Sequence, residues 1–194
     1  MSLSLNEKLC HSQQSQLLII DIQERLASAM PAEVIEKVAR NSNILLQAAT
    51  ELNIPVIHSE QYPAGLGNTL PTVTENIPEE KAGLIHALTK TCFSCADAEG
   101  FNNLLAKQKR QQIIMTGIET HICVLQSAIQ LQRLGYNIYI VEDAVCSRKK
   151  LHHKNAIKRL RQNGIVISNV ESVIFEWLRD AAHPKFKTLS ALIK

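Results

Sequence analysis

Short apolar runs alternate with longer stretches of helical periodicity along this chain. Residues 17–22, 55–58, 84–88, 113–116, 137–141 and 165–168 are apolar and rich in β-branched residues, the pattern of strands buried on both faces. Between them, apolar residues recur every three or four positions over 32–52, 96–108, 124–134, 149–162, 173–179 and 185–193, which predicts helices. Pro31 opens the first helix, Gly135 closes the third, and His183-Pro184 separates the last two. Strands alternating with helices at this spacing predict a parallel sheet covered on both faces. The expected fold class is α/β: a single-domain three-layer α/β/α sandwich around a six-stranded, mainly parallel, Rossmann-like sheet. The domain is expected over residues 17–194. Residues 1–16 read as a polar N-terminal tail without the apolar segment of a signal peptide.

The segment 59–83 departs from the alternation. It carries Pro63, Pro71 and Pro78 with Gly65, Gly67 and Gly83, and has no clear periodicity. A long irregular piece inside a domain is usually functional. Its Gly65-Leu66-Gly67-Asn68 lacks the third glycine and the Gly-Lys-Thr ending of a phosphate loop.

Composition narrows the class. With 45% hydrophobic and 20% charged residues over 194 positions, the chain reads as globular. No apolar run approaches the ~18 residues that would suggest a membrane span. The five cysteines, Cys10, Cys92, Cys95, Cys123 and Cys146, are an odd number without an export signal. Reduced thiols and a cytoplasmic location are therefore expected. A net charge of +3 does not argue for nucleic acid. The basic cluster over 148–161 reads as the solvated face of a helix whose apolar side is Leu151, Ile157 and Leu160. An anion-binding patch is the alternative.

In a doubly wound sheet, ligands bind beyond the C-terminal ends of the strands, where strand order reverses. Three reactive side chains fall at such ends: Asp21 after the first strand, Lys90 after the third, Cys123 after the fourth. Gly117 is expected to end the fourth strand, placing Cys123 on a strand-to-helix turn near a helix N-terminus. There the dipole and free N–H groups favour a thiolate, so an acidic thiol is expected. Taken singly, each residue has a bland reading. Asp21 could cap the following segment, and Lys90 could be a surface lysine. Cys92-Phe93-Ser94-Cys95 could be a redox or zinc pair, but without a second pair or histidines it reads as ordinary buried thiols.

Together, the order Asp21–Lys90–Cys123 resembles the isochorismatase-like cysteine hydrolases. Gly117-Ile118-Glu119-Thr120-His121-Ile122-Cys123-Val124 is similar to the family's nucleophile signature, and Lys90-Thr91-Cys92-Phe93-Ser94 to its lysine segment. Glu60-Gln61-Tyr62-Pro63-Ala64-Gly65-Leu66-Gly67 and Asp180-Ala181-Ala182-His183-Pro184-Lys185-Phe186-Lys187 resemble the branch called isochorismatase domain-containing proteins.

The resemblance implies that Cys123 attacks a carbonyl carbon to form a thioester. Asp21 would act as its base, and Lys90 would hold Asp21 ionised. The backbone N–H groups of Glu119 and Cys123 would form the oxyanion hole. It also implies a cis peptide at Ile118–Glu119. Removing Asp21 as base is expected to raise the thiol pKa. Gln23, Tyr62, Phe93, His121 and Ile122 are the substrate-pocket candidates.

Departures from the family pattern carry information too. Nicotinamidases hold a metal through an Asp-x-His pair, where this chain has His58-Ser59-Glu60-Gln61-Tyr62. No metal and no cofactor are therefore expected. True isochorismatases lack the cysteine, so Cys123 argues for a small amide, ureido or ester substrate. The expected assembly is a homo-oligomer, a dimer or larger, with no nucleic-acid or membrane partner. The alternative is a catalytically weak member of the family that acts mainly by binding a ligand or partner. A dinucleotide oxidoreductase fits poorly, because Gln23-Glu24-Arg25-Leu26 follows the first strand in place of a G-x-G-x-x-G.

Overall fold

The computed structural model describes residues 8–194. Six strands form one sheet in the order β3-β2-β1-β4-β5-β6. They are β1 (Ser15–Ile20), β2 (Val56–Gln61), β3 (Ile85–Lys90), β4 (Gln112–Ile118), β5 (Asn137–Cys146) and β6 (Val166–Ser168). Every neighbouring pair is parallel. The helices are α1 (Glu24–Ser28), α2 (Ala32–Glu51), α3 (Pro63–Leu66), α4 (Pro71–Thr74), α5 (Phe101–Lys107), α6 (Leu125–Arg133), α7 (Lys150–Gln162), α8 (Val170–Leu178) and α9 (Phe186–Ala191).

The two-residue period of a strand builds both cores at once. In β1, Leu17 and Ile19 enter an apolar cluster with Leu45 and Leu46 of α2 and Trp177 of α8. Leu18 and Ile20 enter the opposite cluster with Phe101 of α5, Leu131 of α6 and Leu160 of α7. That two-sided burial is why the strand sequences are continuously apolar.

Several boundaries differ from the sequence-based expectation. Residues 8–16 are not a loose tail. Ser15 and Gln16 belong to β1, and Cys10 is fully buried. The Cys10 N–H donates to Glu176 (2.6 Å) and the His11 N–H to Gln112 Oε1 (2.7 Å). Polar composition concealed this docking, because the fixing contacts come from residues distant in sequence. Residues 1–7 of the expected tail lie outside the described residues. The helix expected over 96–108 begins only at Phe101. A short 3-10 turn, Cys95–Asp97, precedes it, and Gly100 in the left-handed region separates the two. Within 59–83, β2 runs on to Gln61, and α3, α4 and a 3-10 turn, Glu79–Leu84, follow. Helices of four residues are too short to show a periodicity.

Gly117 does not end β4; it lies inside it. Its φ is +117°, and a Cβ there would sit 2.0 Å from the Ile20 carbonyl oxygen. The missing side chain lets β4 lie against the end of β1, bringing their C-termini together. Gly117→Ala is expected to cost about 2–5 kcal/mol, the sum of overpacking and a disfavoured φ. Urea denaturation reads this directly, and a midpoint equal to wild type would contradict the account.

Candidate active site

The strand order reverses between β1 and β4, and the reactive groups converge there. Asp21 follows β1 with φ 51°, a left-handed conformation that aspartate tolerates better than most residues. It is fully buried. Its N–H donates to the Ser59 carbonyl at 3.0 Å, continuing the β1–β2 ladder for one more residue. Ser59 Oγ donates to Asp21 Oδ1 at 2.7 Å. Lys90 Nζ donates to Asp21 Oδ2 at 2.6 Å, with both side chains shut from solvent.

Lys90 ends β3, two strands away from β1, so its long stem crosses beyond the end of β2. There Gln61 Oε1 accepts a second bond from Nζ at 2.7 Å. The Cys92 carbonyl lies 3.4 Å from the same nitrogen. The ammonium is thus satisfied, as a buried charge must be. Burial works to lower the Lys90 pKa, but Asp21, Cys123 and Cys95 outweigh it and the net direction is upward.

Cys123 lies in a π-helical turn, Thr120–Val124, which leads directly into α6. It is 5% exposed, close enough to Asp21 and Lys90 for both charges to act on its thiol. The structure therefore gathers Asp21, Lys90 and Cys123 in one buried region, with Asp21 and Lys90 in direct contact. The expected acidic thiol is not found. Burial pushes the Cys123 thiol up and the Asp21 charge pushes it further, while Lys90 pulls it down by less. The sign of the Asp21 effect also reverses. Asp21→Asn removes a negative charge beside a nascent thiolate, so it is expected to move the pH midpoint of Cys123 thiolation downward. Labelling kinetics with methyl methanethiosulfonate across pH test this, and an upward or absent shift would refute it.

The Ile118–Glu119 peptide is cis. The Glu119 carboxylate turns toward the segment between β5 and α7. It accepts the Arg148 backbone N–H (2.9 Å) and Arg148 Nε (3.0 and 3.2 Å). His121 Nδ1 lies 4.0 Å from Glu119 and 3.0 Å from Ser147 Oγ. Its ring sits 4.7 Å from that of His152.

The remaining pocket candidates separate. Tyr62 and Phe93 are more than half exposed. Tyr62 lines an open groove of about 430 Å³ with Thr89, Lys90, Thr91 and Cys92. His121 and Ile122 are half-buried on the Cys123 turn. Gln23 must be corrected. It is fully buried, its Nε2 donates to the Gln61 and Gly67 carbonyls, and its Oε1 accepts the Gln61 N–H. Its amide braces the loop after β2, shut from solvent, with both Nε2 hydrogens taken up by those carbonyls.

Sequence reasoning missed Ser59, Gln61, Cys95 and Arg148. Ser59 and Gln61 alternate on β2, so the strand period places them on one side, but only the register sets them beside Asp21 and Lys90. Cys95 Sγ is 3.7 Å from Ser59 Oγ, and burial pushes its thiol up to about 11. All five cysteines are free. Among the described residues, no cluster of three or more His, Cys, Asp or Glu could hold a metal ion. Thr69 faces His58 and Glu60 of the segment compared above with the Asp-x-His pair. It donates to Glu60 through both N–H and Oγ1 (2.7 and 2.8 Å), and its Oγ1 lies 3.4 Å from His58 Nδ1. No helix among them is long and apolar enough to cross a membrane.

This fold is the isochorismatase-like hydrolase fold. The isochorismatase domain family model matches residues 15–172, and the chain belongs to that family. It is similar to isochorismatase domain-containing protein 2A of Mus musculus, 34% identical over 180 residues, or 92% of this chain and 82% of the mouse protein. The secreted isochorismatase effector Isc1 of Phytophthora sojae is 36% identical over 184 residues, 93% of this chain and 84% of that one. Among solved structures, the MAR1 ribonuclease from Caenorhabditis elegans matches with a TM-score of 0.86 at 35% identity, covering 95% of this chain and 92% of that chain.

Proposed function

We propose that this protein is a metal-independent cysteine hydrolase that cleaves a small amide, ureido or ester bond through a thioester. The observation that carries the reading is the buried Asp21 carboxylate, held by Lys90 and Ser59 and close enough to the Cys123 thiol for its charge to act there. A thiol so placed loses its proton to Asp21 as sulfur attacks the carbonyl carbon. The carbonyl oxygen takes up negative charge and is met by the N–H groups of Glu119 and Cys123. Collapse expels the amine or alcohol, which leaves with the proton from Asp21. Asp21 then takes a proton from water, the hydroxide adds to the thioester carbon, and as the C–S bond breaks the leaving sulfur recovers the proton from Asp21, freeing the acid. The Lys90 ammonium balances the Asp21 charge between these steps. Tyr62, Phe93, His121 and Ile122 frame the substrate's approach.

The name of the C. elegans relative raises phosphodiester cleavage as a second reading. The site favours it less, because the Lys90 ammonium is buried and spent on Asp21 and Gln61 rather than free for a phosphate. Five unpaired thiols support a cytoplasmic location. The family resemblance supports a homo-oligomer, which sedimentation at micromolar concentration reads.

A panel of small amides, ureas and esters, with an RNA included, tests the reaction class. Turnover is expected on a carbonyl substrate and is expected to survive EDTA. Activity lost on chelation and restored by metal, or cleavage of the RNA alone, would overturn the reading.

A further inference from the structure

Glu119 is an unusual residue to find beside an oxyanion. Its side chain is 5% exposed, and its own backbone N–H is one of the two donors proposed above. A carboxylate so placed would repel the negative charge that develops on the substrate oxygen, unless something cancels it.

We propose that Arg148 is a positioning residue for the reaction: its clamp on the Glu119 carboxylate orients the Glu119 N–H and neutralises the charge that would oppose the oxyanion. This inference rests on the hydrolase reading. The geometry supports it in three ways. Guanidinium Nε reaches both carboxylate oxygens, at 3.0 and 3.2 Å, and the Arg148 backbone N–H adds a third bond at 2.9 Å. Glu119 follows β4 and Arg148 follows β5, whose last paired residues, Ile118 and Cys146, are register partners. The clamp therefore ties together two adjacent strand ends at the edge where the thiol sits.

The nearby histidine is the weaker counter-charge. His121 is 4.0 Å from Glu119. Burial lowers its pKa against the pull of Glu119, and His152 and Arg148 lower it further. At neutral pH the permanent cation facing this carboxylate is Arg148. Its side chain is 55% exposed, so removing it should leave the core intact.

Two reactions of Cys123 separate this role from a general structural one. p-Nitrophenyl acetate acylates sulfur: the S–C bond forms, the ester C–O bond breaks with its electron pair leaving as p-nitrophenolate, and the thiol proton passes to Asp21. That path goes through an oxyanion. Methyl methanethiosulfonate forms an S–S bond and expels methanesulfinate, with no carbonyl involved. Both rates are measured by mass on the peptide bearing Cys123.

Arg148→Ala is expected to slow acylation about 10–100-fold and to leave thiolation unchanged. The double change Glu119→Gln with Arg148→Ala should recover most of that loss, since it removes the uncompensated charge. A merely structural clamp would make the double change no better than Arg148→Ala. The inference is overturned if Arg148→Ala acylates at the wild-type rate. It is also overturned if both reactions slow equally, or if the double change is no faster than Arg148→Ala. If wild-type Cys123 is thiolated but never acylated, the hydrolase reading itself falls, a result distinct from any of these.

Discussion

Cys123→Ala is expected to abolish turnover of whichever panel substrate the wild type hydrolyses, with a loss on the order of 10⁵–10⁶-fold. The substitution removes the sulfur proposed to attack the carbonyl carbon. No neighbouring group can take its place. Cys95 is fully buried, and its thiol lies against Ser59. Substrate binding should persist, because alanine removes a single atom and frees space. Asp21→Asn keeps the size of the side chain but cannot accept the proton, so it should lose ~10²–10⁴-fold. The two losses should not add. With the nucleophile gone there is no proton to transfer, and the double variant should match Cys123→Ala. Steady-state rates and intact-mass detection of the acyl adduct check all three. Wild-type turnover by Cys123→Ala would end the assignment.

Lys90→Met should give the largest loss of stability. It leaves the Asp21 carboxylate buried without its cation, a change that typically costs about 3–5 kcal/mol. Ser59 still donates to Oδ1, but a neutral hydroxyl cannot replace a charge. The double change Asp21→Asn with Lys90→Met should recover much of the loss, since a neutral pair of similar volume needs no counter-ion. The pH dependence has a definite sign. The Lys90 pKa is raised in the folded state, so the pair's contribution is complete below the unfolded lysine value of about 10.4. It fades only as pH climbs through the higher folded value. Urea denaturation at neutral pH should therefore show the full difference between the single and double variants. Equal midpoints for wild type and Lys90→Met would mean that the pair carries no net stability.

The alternation of apolar runs and helical periods was enough to read a six-stranded α/β sandwich, because each strand is buried on both faces and each helix on one. Strand positions followed to within a few residues. Asp21, Lys90 and Cys123 were legible as reactive side chains at or just beyond strand ends, and it was the resemblance of their order to a known family that joined them. The short helices were not legible, since one turn of helix carries no period. Nor was the docking of residues 8–16, whose partners Gln112 and Glu176 lie far along the chain.

The sequence by itself determined the class of fold, the strand ends where chemistry could gather, and the reactive residue types placed there. Only the tertiary structure decided their electrostatics. Cys123 reads as an acidic thiol from its place before a helix, but enclosure and the Asp21 charge push it the other way. Gln23 reads as a pocket residue from its place after β1, but its amide is spent on the loop after β2. Ser59, Gln61 and Arg148 became partners of the site through strand register and the approach of β4 to β1 and β5. The physical reason is range: hydrophobic period and local propensity act over a few residues. Desolvation, charge pairing and hydrogen-bond satisfaction depend on which distant segments the packed chain brings within a few ångströms.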